Sequence, residues 1–198
     1  MKNKPLLIVL GEPNSIFSEI LFKTYKKKIV QKINRPIVII GSENLLRSQM
    51  RALKYTSKIK KISNLDLKNL KLDKKIINII DVQYKFKKNF DKISKNSKNY
   101  INNCFKIALK LLNEKLAYAL INGPISKTHF LEKKYLGITE YLAKKTKIKK
   151  KPTMLIYNSN FSVCPITTHL PINHVSKNLS KNKIVNDVMN INTFYKKK

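Results

Sequence analysis

The chain has 198 residues, enough for one domain or one and a half, and a domain of that length buries roughly 70% of its unfolded surface without cross-links. Two cysteines exclude a disulfide framework, no apolar run approaches the roughly 20 residues of a membrane helix, and no secretory-type segment opens the chain, so the expected setting is a reducing cytoplasm with no membrane. The formal net charge of +31 is built from 39 lysines and three arginines beside 26 isoleucines and 22 asparagines. That balance reads as lysine filling a solvated surface, and it argues against nucleic acid, whose recognition favours the arginine fork.

In chain order, "KPLLIVLGEPNSIFSEILFKTYKK" reads as a buried strand, a turn at Gly11 to Ser15, and a helix with Ile16, Ile20, Leu21 and Tyr25 at helical spacing. "RPIVIIGSENLLRSQMRALKY" repeats the plan: a strand over 37–40, Ser42 as N-cap, and an amphipathic helix through Leu53. A lysine-rich stretch follows, with a strand in "IINIID" at 76–81, then a long helix feeding a strand over 117–121. Strands alternating with helices predict an α/β fold around a mostly parallel sheet.

From residue 123 the character changes. Gly123 and Pro124 end a strand, a short helix is expected over 126–132, and another starts near Thr139. Two apolar segments, 153–157 and 161–168, have hairpin spacing around "NSN", and one or two helices are expected after residue 171. The expected division is a first α/β lobe over 1–125 and the beginning of a second over 126–198.

Four stretches could carry chemistry. "GEPNSIFSEI" (11–20) lies where an α/β sheet places ligands, beyond a strand and at a helix start, but it has one glycine and no G-x-G-x-x-G, so it also reads as a plain turn. "NGPISK" (122–127) could present Ser126 and Lys127 to an anion. In "GITE" (137–140) Thr139 reads as an N-cap, either a phosphate seat or a cap alone. "CPITTHLPINHV" (164–175) places His169 and His174 five residues apart with Pro171 between them. On a helix that is about 140° of rotation, so the two do not share a metal. His169 remains open as a ligand or a hydrogen-bonded surface residue.

Taken as an ordered set, "GEPNSIFSEI", "LINGPISK", "LGITEYLA" and "ITTHLPINHV" resemble the 4-hydroxythreonine-4-phosphate dehydrogenases of pyridoxal phosphate biosynthesis, whose stretches read like G-[DE]-P-A-G-I-G-P-E, T-G-P-[IV]-x-K, G-H-T-E-[FY]-[LF] and T-T-H-L-P-L. The resemblance implies a three-layer α/β/α, two-lobed fold like the isocitrate and isopropylmalate dehydrogenases, here incomplete. It also implies a homodimer that uses NAD and a divalent metal (zinc, magnesium or cobalt) to oxidise and decarboxylate a small phosphorylated substrate, 4-phosphohydroxy-L-threonine. Carried over by position, His169 is a metal ligand and Thr139 and Lys127 bind substrate, while Glu12 stands at a motif position without an assigned role. The resemblance assigns no catalytic or dinucleotide-binding residue.

The departures are specific. Ile138 stands where the family has a histidine, residues 14–18 replace most of a glycine-rich turn, and the later N-P-H-A-G-E and Y-H-D-Q-G motifs, which carry two more metal histidines, are not among the 198 residues. The expectation is therefore an incomplete chain with little activity alone. A related dehydrogenase of 4-phospho-threonate or 4-phospho-erythronate is the alternative within the class. A basic nucleic-acid-binding protein built on a degenerate enzyme lobe is the alternative outside it.

Overall fold

The computed structural model describes residues 4–63, 67, 72–146, 152–168 and 170–196. These divide into two compact units, residues 1–133 and 134–198, each considered by itself.

The first unit is built on five strands: β1 (Leu6–Val9), β2 (Ile37–Gly41), β3 (Ile59–Lys61), β4 (Ile77–Asp81) and β5 (Ala119–Asn122). All pair in parallel in the order β3-β4-β2-β1-β5. β1, β2 and β4 are near-continuous apolar runs because both faces of the sheet are covered. One face carries Ile8, Ile39 and Ile79, packed with Phe22 of α1 (Phe17–Lys26), Val30 of α2 (Ile29–Lys32) and Leu46 of α3 (Glu43–Ala52). By the period of two, Val9, Val38 and Ile40 point the other way, toward α4 (Lys98–Asn113), whose buried stripe is Tyr100, Ile101, Cys104, Phe105, Ala108 and Leu111. The result is the three-layer α/β/α arrangement expected.

Several local expectations shift. In α1 the buried stripe is Ser18, Leu21, Phe22 and Tyr25; Ile16 precedes the helix and, with Ile20, is exposed. Of the expected Ile16, Ile20, Leu21 and Tyr25 face, Leu21 and Tyr25 are buried as expected, and Ser18 and Phe22 take the core positions in place of Ile16 and Ile20. β3 was not expected, because its three residues IKK have no apolar alternation; among the described residues it is a short edge strand paired with β4. Ser42 caps α3 as expected, accepting from the Leu45 amide at 3.3 Å. The helix start also receives Asp81, whose Oδ1 accepts from the Glu43 amide at 2.9 Å. Cys104 is buried with its thiol pushed up to about 12, so it packs as a small apolar side chain.

In the second unit α5 spans Ile138–Lys145 and α6 spans Lys181–Lys196, with 3₁₀ turns at Ile172–His174 and Ser176–Asn178. The expected hairpin reduces to one antiparallel bridge, Ile156 with Val163, bonded both ways at 2.8 and 2.9 Å. Met154, Tyr157 and Phe161 beside it are exposed. Among the described residues no helix is long and apolar enough to cross a membrane.

Candidate functional site

In the strand order β2 lies on one side of β1 and β5 on the other, so the direction in which strands are added to the sheet reverses between β1 and β5. The carboxyl ends of these two strands carry "GEP" and "NGP", the first two motif loops, and open α/β sheets bind ligands at such a reversal.

The two loops are pressed together by backbone. The Gly123 amide donates to the Val9 carbonyl at 2.7 Å and the Glu12 amide donates to the Pro124 carbonyl at 2.8 Å. Gly11 has φ +74°, and a Cβ there would lie 2.3 Å from the Pro124 oxygen. A Cβ on Gly123 would lie 2.2 Å from the Leu10 oxygen. Only glycine permits both the left-handed turn and this approach.

Glu12 is thereby held beneath the turn, 3% exposed. Its Oε2 is 3.0 Å from the Ser97 hydroxyl at the head of α4, and its Oε1 has no hydrogen-bond partner. Burial pushes the carboxyl up from its ordinary value, opposed by the Ser97 hydroxyl, the Asn14 amide and the nearby His129. Gln49, buried on α3, donates to the Pro13 carbonyl at 2.8 Å, and Asn14 exchanges bonds with the Lys92 carbonyl and the Asp91 amide. The turn is thus fastened from α3 and from both ends of the approach to α4.

After "NGP" the chain forms a π-helical turn, Lys127–Leu131, whose start is capped by the Ser126 hydroxyl accepting from the His129 amide at 3.0 Å. Phe130 and Leu131 anchor it in the core and leave Lys127 exposed. Lys127 belongs to the first unit and Thr139 to the second. Thr139 is not the N-cap of α5. Gly137 is, in extended backbone, and exposed Thr139 is the second helical residue. Glu140 lies over Gly137, where a Cβ would meet its carboxylate at 3.2 Å, so the small residue takes the cap. His174 is exposed and ends a 3₁₀ turn; His169 lies outside the described residues. Glu12, Ser97 and Gln49 are the site's buried polar frame. Only Glu12 had a motif to point to it; Ser97 and Gln49 sit in helical stretches with no local signal.

Among the described residues no group of three His, Cys, Asp or Glu side chains could hold a metal. Glu12 and Gln49 line the space under the β1–α1 turn and narrow it to a small cavity, too small to seat a pyrophosphate. The described residues therefore do not by themselves fit either group.

Fold and site together define a doubly wound α/β protein whose ligand side is the carboxyl edge of a parallel sheet. A family profile described as "Pyridoxal phosphate biosynthetic protein PdxA" matches residues 32–198, and the chain belongs to that family. It is 34% identical over 195 residues to a 4-hydroxythreonine-4-phosphate dehydrogenase of Sulfurihydrogenibium sp. (strain YO3AOP1), covering 98% of this chain and 58% of the relative. Its fold matches a putative 4-hydroxythreonine-4-phosphate dehydrogenase from Salmonella typhimurium (TM-score 0.83, 22% identity, 98% of this chain, 60% of that one). The enzyme of the same name from Burkholderia phymatum also matches (TM-score 0.81, 20% identity, 94% and 56%). The chain thus spans little more than half the length of the relatives it matches.

Proposed function

We propose that this chain carries the first part of a 4-hydroxythreonine-4-phosphate dehydrogenase, acting with NAD and a divalent metal in a homodimer, and that the 198 residues alone turn over little. The observation that carries this reading is the packing of "GEP" against "NGP" at the β1–β5 reversal, which places two family motifs on the ligand side of the sheet. In this reading units 1–133 and 134–198 correspond to the first lobe and the beginning of the second.

The chain's own contribution is binding and positioning. Lys127, exposed at the start of the π-helical turn, supplies a point charge for the substrate phosphate, and Thr139 supplies a hydroxyl in the first turn of α5. Glu12, buried beneath the β1–α1 turn, sets the shape of that turn. His169 is the one metal ligand assigned to the chain. NAD, when bound, would supply the hydride acceptor for the secondary alcohol, and the divalent metal, held in part by His169, would stabilise the developing negative charge on its oxygen. Ile138 cannot donate the hydrogen bond of the histidine it replaces, which supports a second reading in which the substrate is 4-phospho-threonate or 4-phospho-erythronate.

The experiment is titration of the purified chain with 4-phosphohydroxy-L-threonine, 4-phospho-threonate and 4-phospho-erythronate, followed by NADH absorbance with NAD and divalent metal added. Binding of one of the three, weakened about tenfold by Lys127→Ala or Thr139→Ala, is expected with near-background NADH. Absence of binding to any overturns the substrate class. Robust NADH production overturns the claim that the chain alone is nearly inactive.

A further inference from the structure

Beneath the β1–α1 turn, Leu10, Pro13, Leu46 and Tyr100 help enclose a small cavity that Glu12 and Ser18 also line. Two buried polar atoms, Glu12 Oε1 and Ser18 Oγ, are without hydrogen-bond partners, and both residues border this one space. Ser18 is in the first turn of α1 and 5% exposed, so bulk solvent does not satisfy it. The cavity offers about 10 Å³ to the centre of a water-sized molecule. That is the room of one water and no larger ligand.

We propose that this cavity is a binding site for a single internal water molecule, hydrogen-bonded to Glu12 Oε1 and Ser18 Oγ. Native proteins leave few buried polar groups unpaired, and water bridges those that protein groups do not reach. Glu12 Oε1 can only accept if Oε2 holds any proton, so the water donates to it; the Ser18 hydroxyl can take or give the second bond. The water completes a polar chain from the Ser94 carbonyl through Ser97 and Glu12 to Ser18. That chain joins the head of α4, the β1–α1 turn and the first turn of α1 at the strand reversal. Glu12 then acts as a positioning residue that is held directly by Ser97 and reaches the first turn of α1 through the water.

The test is a crystal structure of the full chain at a resolution that places waters, paired in solution with magnetic relaxation dispersion that counts long-lived internal waters. One density peak at hydrogen-bond distance from both atoms is expected, and Ser18→Val, which fills the space with methyl groups, is expected to lower the long-lived count by one. Ser18→Ala enlarges the space and is expected to keep the peak on Glu12. A Ser18 hydroxyl turned onto a helix carbonyl with Glu12 Oε1 bonded to a protein donor, and no peak between them, overturns the proposal. A peak with the short contacts of a bound cation overturns it equally.

Discussion

The Ser97 hydroxyl lies 3.0 Å from Glu12 Oε2 and 3.1 Å from the Ser94 carbonyl, joining residues 85 positions apart in sequence. A hydroxyl has one proton to give. An ionised Glu12 and the Ser94 carbonyl would both ask for it. Ser97 can donate to Glu12 Oε2 or to the Ser94 carbonyl, so the carboxylate competes with the backbone for that one proton. Burial raises the Glu12 pKa above its ordinary value against the lowering effect of the Ser97 hydroxyl, the Asn14 amide and His129.

The consequence is a pH dependence with a definite sign. The folded-state pKa lies above the ordinary 4.5, so the stability contributed by the neutral acid is full below that value and is lost as pH rises through the folded pKa. Glu12→Gln keeps a donor for Ser97 and cannot ionise. Its thermal midpoint is expected to gain on the wild type as pH rises above the ordinary 4.5 and to converge with it at the acid end. Two parallel midpoint curves from the acid end upward would rule this out.

Gly11→Ala and Gly123→Ala test the contact between the loops. The first forces a left-handed backbone on alanine and drives Cβ to 2.3 Å from Pro124; the second drives Cβ to 2.2 Å from Leu10. Each is expected to destabilise the chain by about 2 kcal/mol or more, measured by urea unfolding. A change under about 0.5 kcal/mol at either position would mean that the loops separate without loss.

What the sequence makes legible follows the same physics. β1, β2 and β4 are readable because parallel strands covered on both faces are written as unbroken apolar runs. Ser42 is readable because a cap is a local device. β3 is not, since three residues reading IKK are recruited by pairing with β4. At the site, the glycines of "GEP" and "NGP" announce tight backbone, but their mutual contact spans 112 residues and only the strand order reveals it. Ser97 and Gln49 are illegible because nothing near them in sequence tells what they bond.

Asp81 separates a cap from an ion pair. Its Oδ1 serves the Glu43 amide at the head of α3, and its Oδ2 meets the Lys61 ammonium at 3.0 Å, with Lys61 largely in solvent. Asp81→Ala is expected to cost about 1 kcal/mol through the lost helix cap. Lys61→Ala is expected to leave the unfolding midpoint nearly in place, because the Lys61 ammonium lies largely in solvent and is screened there. Equal losses from the two variants would show that the ion pair, not the cap, is the stabilising contact.

The helix α6 is inverted relative to an ordinary surface helix. Asp187 is buried and accepts from the Thr153 hydroxyl at 2.7 Å, with Asn190 donating to the same hydroxyl at 3.0 Å, while Ile184, Val185, Val188 and Met189 are exposed on adjacent turns. Val188 is 57% exposed and Met189 58%. A cluster of this kind promotes association even at a net charge of +31, since screening at physiological salt confines charge repulsion to about 8 Å. The chain is expected to self-associate with rising concentration in sedimentation velocity. Val188→Lys with Met189→Lys should shift it toward the monomer without changing its helical circular dichroism, because neither side chain is in the core. If the double variant associates like the wild type while Ile121→Lys on the exposed edge strand β5 disperses it, the contact runs through the sheet edge and α6 is not responsible.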